Sequence, residues 1–167
     1  MRSATNSTPG NAPQRPRRSV PVVLATLFGA GRVPFAPGTC GALLGVPVAI
    51  ALRLAAFHPV LEAGILLGLM LGAVAVSAQA QKALGRPDPP EIVLDEFVSI
   101  PVTFFLVPLV WYWWVIGFGL HRVLDVLKPP PIRQLQRLPS GWGIVADDVA
   151  AAIVANAVLQ LLTRLIV

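Results

Sequence analysis

The stretch from His121 to Asp148 reads HRVLDVLKPPPIRQLQRLPSGWGIVADD, and it sets three carboxylates, Asp125, Asp147 and Asp148, among the cations Arg122 and Lys128. A second window holds Asp88, Glu91, Asp95 and Glu96, so seven of the eight acidic residues lie in two places and only Glu62 stands apart. Carboxylates are costly beside hydrocarbon, and their concentration at the ends of long apolar segments points to work that needs charge. Grouped carboxylates suit a hard divalent cation, and Arg and Lys beside them suit a phosphate. Metal-assisted hydrolysis of a phosphate ester is the chemistry such a set supports. An ordinary charged loop, or carboxylates opposing helix dipoles in first turns, would show the same composition.

Asp95, Glu96, Asp147 and Asp148 are the first candidate metal ligands, with Asp88 and Asp125 as further ones; the expected ion is Mg2+, which takes oxygen ligands and few protein carboxylates. Adjacent helical residues point about 100° apart, so one member of each pair can bind metal while its neighbour orients water or an arginine. Arg122, Asp125 and Lys128 are spaced by three along one helical face. There Arg122 would grip phosphate oxygens with its planar fork and Lys128 would act as a point charge, with Asp125 on metal or positioning one of them. A surface ion-pair ladder has the same spacing. Gly29, Gly31, Gly38 and Thr39, in GAGRVPFAPGT, are candidates for substrate phosphate, because glycine lets backbone amides approach an anion and a helix starting near Thr39 would aim its dipole there. A plain turn capped by Thr39 explains the same residues.

Other chemistries find less support. The single Cys40 excludes an internal disulfide framework, and no cation or base adjoins it to activate a thiolate. His58 and His121 lack metal-ligand spacing. The net charge of +5 is spread beside hydrophobic segments rather than along a stripe, which fits anionic lipid and not nucleic acid.

The elements that must position these groups are membrane helices. The 167 residues allow one domain, and a mean hydropathy of +0.72 with 13% charged residues departs from soluble composition. Segments 33–52, 63–81 and 97–120 are uncharged or nearly so and close to the roughly 20 residues a spanning helix needs; 149–167 is a fourth, with Arg164 snorkelling at its end. Residues 1–20, rich in Pro, Ser, Thr, Asn and Arg, are expected to be a disordered tail, and 21–167 the membrane domain. The fold expected is all-α, a polytopic bundle of about four hydrophobic helices or hairpins with a polar site at the cytoplasmic face.

Topology turns on Pro108. If 97–120 is one span, the two acidic windows lie on opposite sides of the membrane and cannot share a metal. If the chain enters and turns near Pro108, beside Trp111, Tyr112, Trp113 and Trp114, both windows return to one face. Eleven of the thirteen cations then share that face, since only Arg53 and Arg164 lie towards the other. The hairpin satisfies both the positive-inside rule and the chemistry. Glu62, at the far end of the second helix, is then expected to tolerate replacement by Gln.

Four signatures occur in order: GAGRVPFAPGTCGA at 29–42, DPPEIVLDEFV at 88–98, HRVLDVLKPPPI at 121–132 and GWGIVADDVAA at 141–151. Together they resemble the phosphatidylglycerophosphatase A family, from about Thr26 to the C-terminus. The resemblance implies a magnesium-dependent lipid phosphatase of the bacterial cytoplasmic membrane that converts phosphatidylglycerophosphate to phosphatidylglycerol. The departures touch no charged group. Ser99 and Ser140 stand where the family usually has glycine, Val145 where it has methionine, and Ala42 and Ala152 where serine and glycine are expected. Water activated by the metal is the expected nucleophile, with an aspartyl-phosphate as the other route. A small transporter or lipid-binding protein using the same acids for cation passage is the non-catalytic alternative, separable by phosphate release against ion flux. Oligomeric state, metal count and acyl-chain preference have no signature.

Overall fold

The computed structural model describes residues 19–166, so the expected tail lies almost wholly outside the described residues. It is all-helical there: α1 (Val20–Ala25), a 3-10 segment (Leu27–Arg32), α2 (Pro37–Leu54), α3 (Pro59–Leu84), α4 (Leu94–Thr103), α5 (Trp111–Leu127), α6 (Ile132–Leu135) and α7 (Gly141–Ile166). Three of these, α2, α3 and α7, are long and apolar enough to cross a membrane. Large side chains such as Leu61, Leu67 and Leu71 on α3, and Ile153, Leu161 and Leu165 on α7, are exposed, as lipid-facing residues are.

The apolar segment expected over 97–120 is broken. Helix α4 stops at Thr103, residues 104–110 turn, and α5 sets out from Trp111. Phe104 and Trp114 stack across the bend at 4.1 Å between ring centroids. A helix broken at membrane depth strands backbone carbonyls, each costing several kcal/mol (about 2–7) if left in hydrocarbon. Here Asn156 on α7 donates to Thr103 O (3.0 Å) and Phe105 O (2.8 Å), Gln160 donates to Phe105 O (3.0 Å), and the Trp114 indole donates to Pro108 O (3.0 Å). Asn156 lies nine residues beyond Asp147 on α7, a rise of about 14 Å. The hairpin therefore reaches past the middle of α7, to the level of Gln160, and returns.

Close helix approach holds the hairpin in place. Helix α4 packs on α2 through Gly41, where a Cβ would lie 2.7 Å from Val93 O, and Gly45, where it would lie 2.5 Å from Phe97 O. In lipid, where apolar side chains gain nothing from leaving water, such small-residue contacts supply the association. Ala42, Ala49, Ile100, Phe104, Val107, Trp113 and Leu159 form the core between α2, the hairpin and α7. Val22 and Ala25 of α1 pack with Ala80, Ile92 and Ile144, which seats α1 at the end of the bundle where α3 finishes and α7 begins.

Glu62 is not a passive control. It is 1% exposed and accepts a 2.8 Å bond from Arg53 across the α2–α3 connection. Replacing a buried partner leaves the other charge uncompensated, so Glu62→Gln, expected to spare hydrolysis at the opposite end of the bundle, is expected to lower stability.

Candidate active site

Five helix ends meet at one end of the bundle: the starts of α2, α4 and α7 and the finishes of α3 and α5. Asp95 and Glu96 occupy the first turn of α4, Asp125 the last turn of α5, Lys128 its C-cap, and Asp147 and Asp148 the second turn of α7. The two acidic windows thus come together, which only the hairpin permits. Lys128 takes a left-handed backbone (φ 42) that ends α5 and turns the chain into the proline run.

Lys128 is the hub. Its ammonium is hydrogen-bonded to Asp147 and lies 3.5 Å from both Asp125 Oδ1 and Asp148 Oδ1. Burial works against the charged amine, but Asp148, Asp147 and Asp125 outweigh it and raise its pKa above the ordinary lysine value. Arg122 donates to Asp125 Oδ2 at 2.6 Å. This ladder is not on the surface: Asp125 and Asp147 are 7% and 2% exposed.

Asp95, Glu96 and Asp148 each present an oxygen within 4.8 Å of the others'. Burial, then the charges of Glu96 and Asp148, push the Asp95 carboxyl well above its usual range; burial also raises Glu96. Asp95 Oδ1, Glu96 Oε2, Asp147 Oδ1 and Asp148 Oδ2 are buried without a hydrogen-bond partner. Buried acceptors in such a cluster call for a cation or donors. The donor set is all oxygen and anionic, and it fits Mg2+ by its chemistry.

The start of α2 forms one wall. The expected cap at Thr39 is corrected: Pro37 begins the helix, its ring presetting φ, after Ala36 in the left-handed region (φ 48), and Thr39 falls inside the first turn. The first helical bond runs from Cys40 N to Ala36 O, so the amides of Gly38 and Thr39 precede the bonded ladder. A Cβ on Gly38 would overlap Glu96 Oε1 and come within 3.5 Å of Arg122 Nη2. Gly38→Ala is expected to displace that carboxylate and lower kcat/KM about 10- to 100-fold, with a melting temperature close to wild type. Phosphate-release kinetics beside a thermal unfolding curve check this, and unchanged kinetics would remove Gly38 from the site wall.

The remaining candidates lie outside this cluster. Gly31 sits flush on the backbone of Glu91, a packing contact, and Gly29 supplies a left-handed turn (φ 104) in open space. Asp88 is exposed in a left-handed turn (φ 45) and is not among the converging carboxylates. The spacing arguments passed over His121, which is fully buried with Nε2 3.1 Å from Ser99 Oγ, while Ser99 donates to Glu96 O. This link ties α5 to the first turn of α4. Ser99 filling a position where glycine was expected was the available signal.

The family model described as Phosphatidylglycerophosphatase A matches residues 23–163. The chain belongs to that family. Phosphatidylglycerophosphatase A of Escherichia coli K12 is 34% identical over 139 residues, covering 82% of this chain and 80% of the relative. The Haemophilus influenzae protein of the same name is 36% identical over 135 residues, covering 80% and 82%. A Bacteroides thetaiotaomicron protein named "Putative phosphatidylinositol-3-phosphatase" is 37% identical over 139 residues, covering 80% and 87%. No solved structure matches the chain. The family and its named relatives support a phosphatase activity for this chain.

Proposed function

We propose that this protein hydrolyses the terminal phosphomonoester of phosphatidylglycerophosphate, with Mg2+, at the cytoplasmic face of a bacterial inner membrane. The observation that carries the reading is the convergence of carboxylates from three helices, Asp125, Asp147 and Asp148 around Lys128 and Asp95 and Glu96 beside Asp148, with four buried carboxylate oxygens left unpartnered. Asp95, Glu96 and Asp148 would hold the ion. Bound there, magnesium would neutralise phosphate oxygens and acidify a coordinated water.

The chain's own groups do the rest. Arg122 and Lys128 draw the phosphomonoester to the end of the bundle and offset its charge, assisted by the amides at the start of α2. Asp125 aligns both cations. Asp147 is fixed through one oxygen by Lys128, and its other oxygen is free to take the proton of the water that attacks phosphorus. The P–O bond to glycerol then breaks; the departing alkoxide takes a proton from solvent water as phosphate leaves, and Asp147 returns the proton it took to solvent.

Purified protein in detergent micelles is expected to release phosphate from phosphatidylglycerophosphate, to stop on chelation and to recover with added Mg2+. The name of the Bacteroides relative makes phosphatidylinositol 3-phosphate the informative competitor. A higher kcat/KM on that lipid would replace the substrate reading, and full activity in chelator would replace the metal reading.

A further inference from the structure

Arg32 is a cation that the reaction above leaves unused. It ends the 3-10 segment, whose Gly31 is pressed on the backbone of Glu91 and whose approach is fixed by Val93 N donating to Ala25 O at 3.0 Å. With Pro34, Pro37, Pro90 and Glu91, the exposed Arg32 lines a shallow cavity of about 310 Å3 that is open to solvent. Three prolines stiffen that wall and contribute no N–H, so Arg32 is the sole side-chain donor in the lining.

Its guanidinium makes no ion pair or hydrogen bond among the described residues. The one carboxylate of the lining, Glu91, is already occupied: Arg86 Nη2 donates to its two oxygens at 2.6 and 2.7 Å. Two guanidiniums therefore face one carboxylate, leaving one positive charge in a concave site. That site adjoins the carboxylate cluster, because Pro37 lines the cavity while the next residue, Gly38, lies against Glu96 and Arg122.

We propose that this cavity seats the phosphodiester of the lipid substrate, with Arg32 as its donor, while Arg122 and Lys128 hold the monoester. The proposal rests on the substrate reading above. Charge distinguishes the two seats: a phosphodiester carries one negative charge and needs one unpaired guanidinium, while a monoester carries up to two and needs the metal proposed above besides Arg122 and Lys128, which Asp125, Asp147 and Asp148 already pair. Arg32 thereby selects lipids that carry a second phosphate one glycerol unit from the reacting one.

The test uses the full chain in detergent micelles, comparing wild type, Arg32→Gln and Arg137→Gln, the last removing an exposed cation outside this cavity. For Arg32→Gln, KM for phosphatidylglycerophosphate is expected to rise about tenfold or more with kcat within about twofold of wild type. Inhibition by phosphatidylglycerol, which has the diester and no monoester, should weaken to a similar degree, and inhibition by inorganic phosphate should not change. Arg137→Gln should leave all three constants near wild type. An equal loss of inhibition by phosphatidylglycerol and inorganic phosphate would overturn the proposal, as would an unchanged KM in Arg32→Gln or the same rise in Arg137→Gln. A wild-type protein that turns over other phosphomonoester lipids but not phosphatidylglycerophosphate would instead fail the substrate reading, and the diester seat with it.

Discussion

Replacing Asp95 or Asp148 with Asn is expected to lower phosphate release by on the order of 10^3-fold while the protein stays folded in the membrane. Asn keeps the size of the side chain and removes the charge a hard cation requires. Stability should hold or rise, because Asp95 is buried with like charges around it and its ionised form is opposed by burial, Glu96 and Asp148. Asp125→Asn and Asp147→Asn should lose comparable activity but also some stability, since these two carboxylates accept hydrogen bonds from Arg122 and Lys128, whereas Asp148 lies 3.5 Å from Lys128 without one. Initial rates and thermal unfolding of the four variants, measured side by side, separate the two classes. Near-normal turnover in all four would remove the metal site. Equal loss of stability in all four would make the cluster a structural one.

The charged half of this site is legible in the sequence because charge in an apolar chain is scarce and its placement is informative. Asp95, Glu96, Asp125, Asp147 and Asp148 stand out against a composition with 13% charged residues, and the spacing of three in Arg122, Asp125 and Lys128 survives as a real helical face. The hairpin was legible for the same reason, as the arrangement that lets both windows meet. The pairings between helices were not. Asn156 and Gln160 sit in a segment that reads as an ordinary span, and their task depends on where another helix breaks. Ser99 with His121 and Arg53 with Glu62 depend on how helices are rotated against each other, which periodicity within one helix does not fix. The error at Thr39 has a local cause: a capping residue and a Pro two positions earlier competed, and the preset φ of Pro37 moved the helix start upstream.

That hairpin makes an all-or-none demand on topology. With α2 and α3 each long and apolar enough to cross once, and α4 and α5 forming a hairpin that turns at 104–110, the connection after α3 and the one after α5 are expected to face the same compartment. With Cys40→Ala as background, the single variants Ala83→Cys and Gln134→Cys report on those two connections, and both positions are exposed. Seven of the nine cations among the described residues, all but Arg53 and Arg164, lie towards that end of the bundle, so both cysteines are expected to resist an impermeant thiol reagent in intact cells and to react after permeabilisation. Pro59→Cys, at the exposed start of α3 next to the Arg53–Glu62 pair, should react from outside. Opposite labelling at Ala83→Cys and Gln134→Cys would mean that 97–120 crosses the membrane, which would put Asp95 and Asp147 on different sides. Retained phosphatase activity alongside that result would show that catalysis does not need the two acidic windows together, because no rearrangement short of undoing the turn at 104–110 can bring them to one ion. Matching labelling with Asn156→Leu abolishing activity would tie the site to the turn itself, since that substitution removes the amide holding Thr103 O and Phe105 O about 14 Å from the carboxylates.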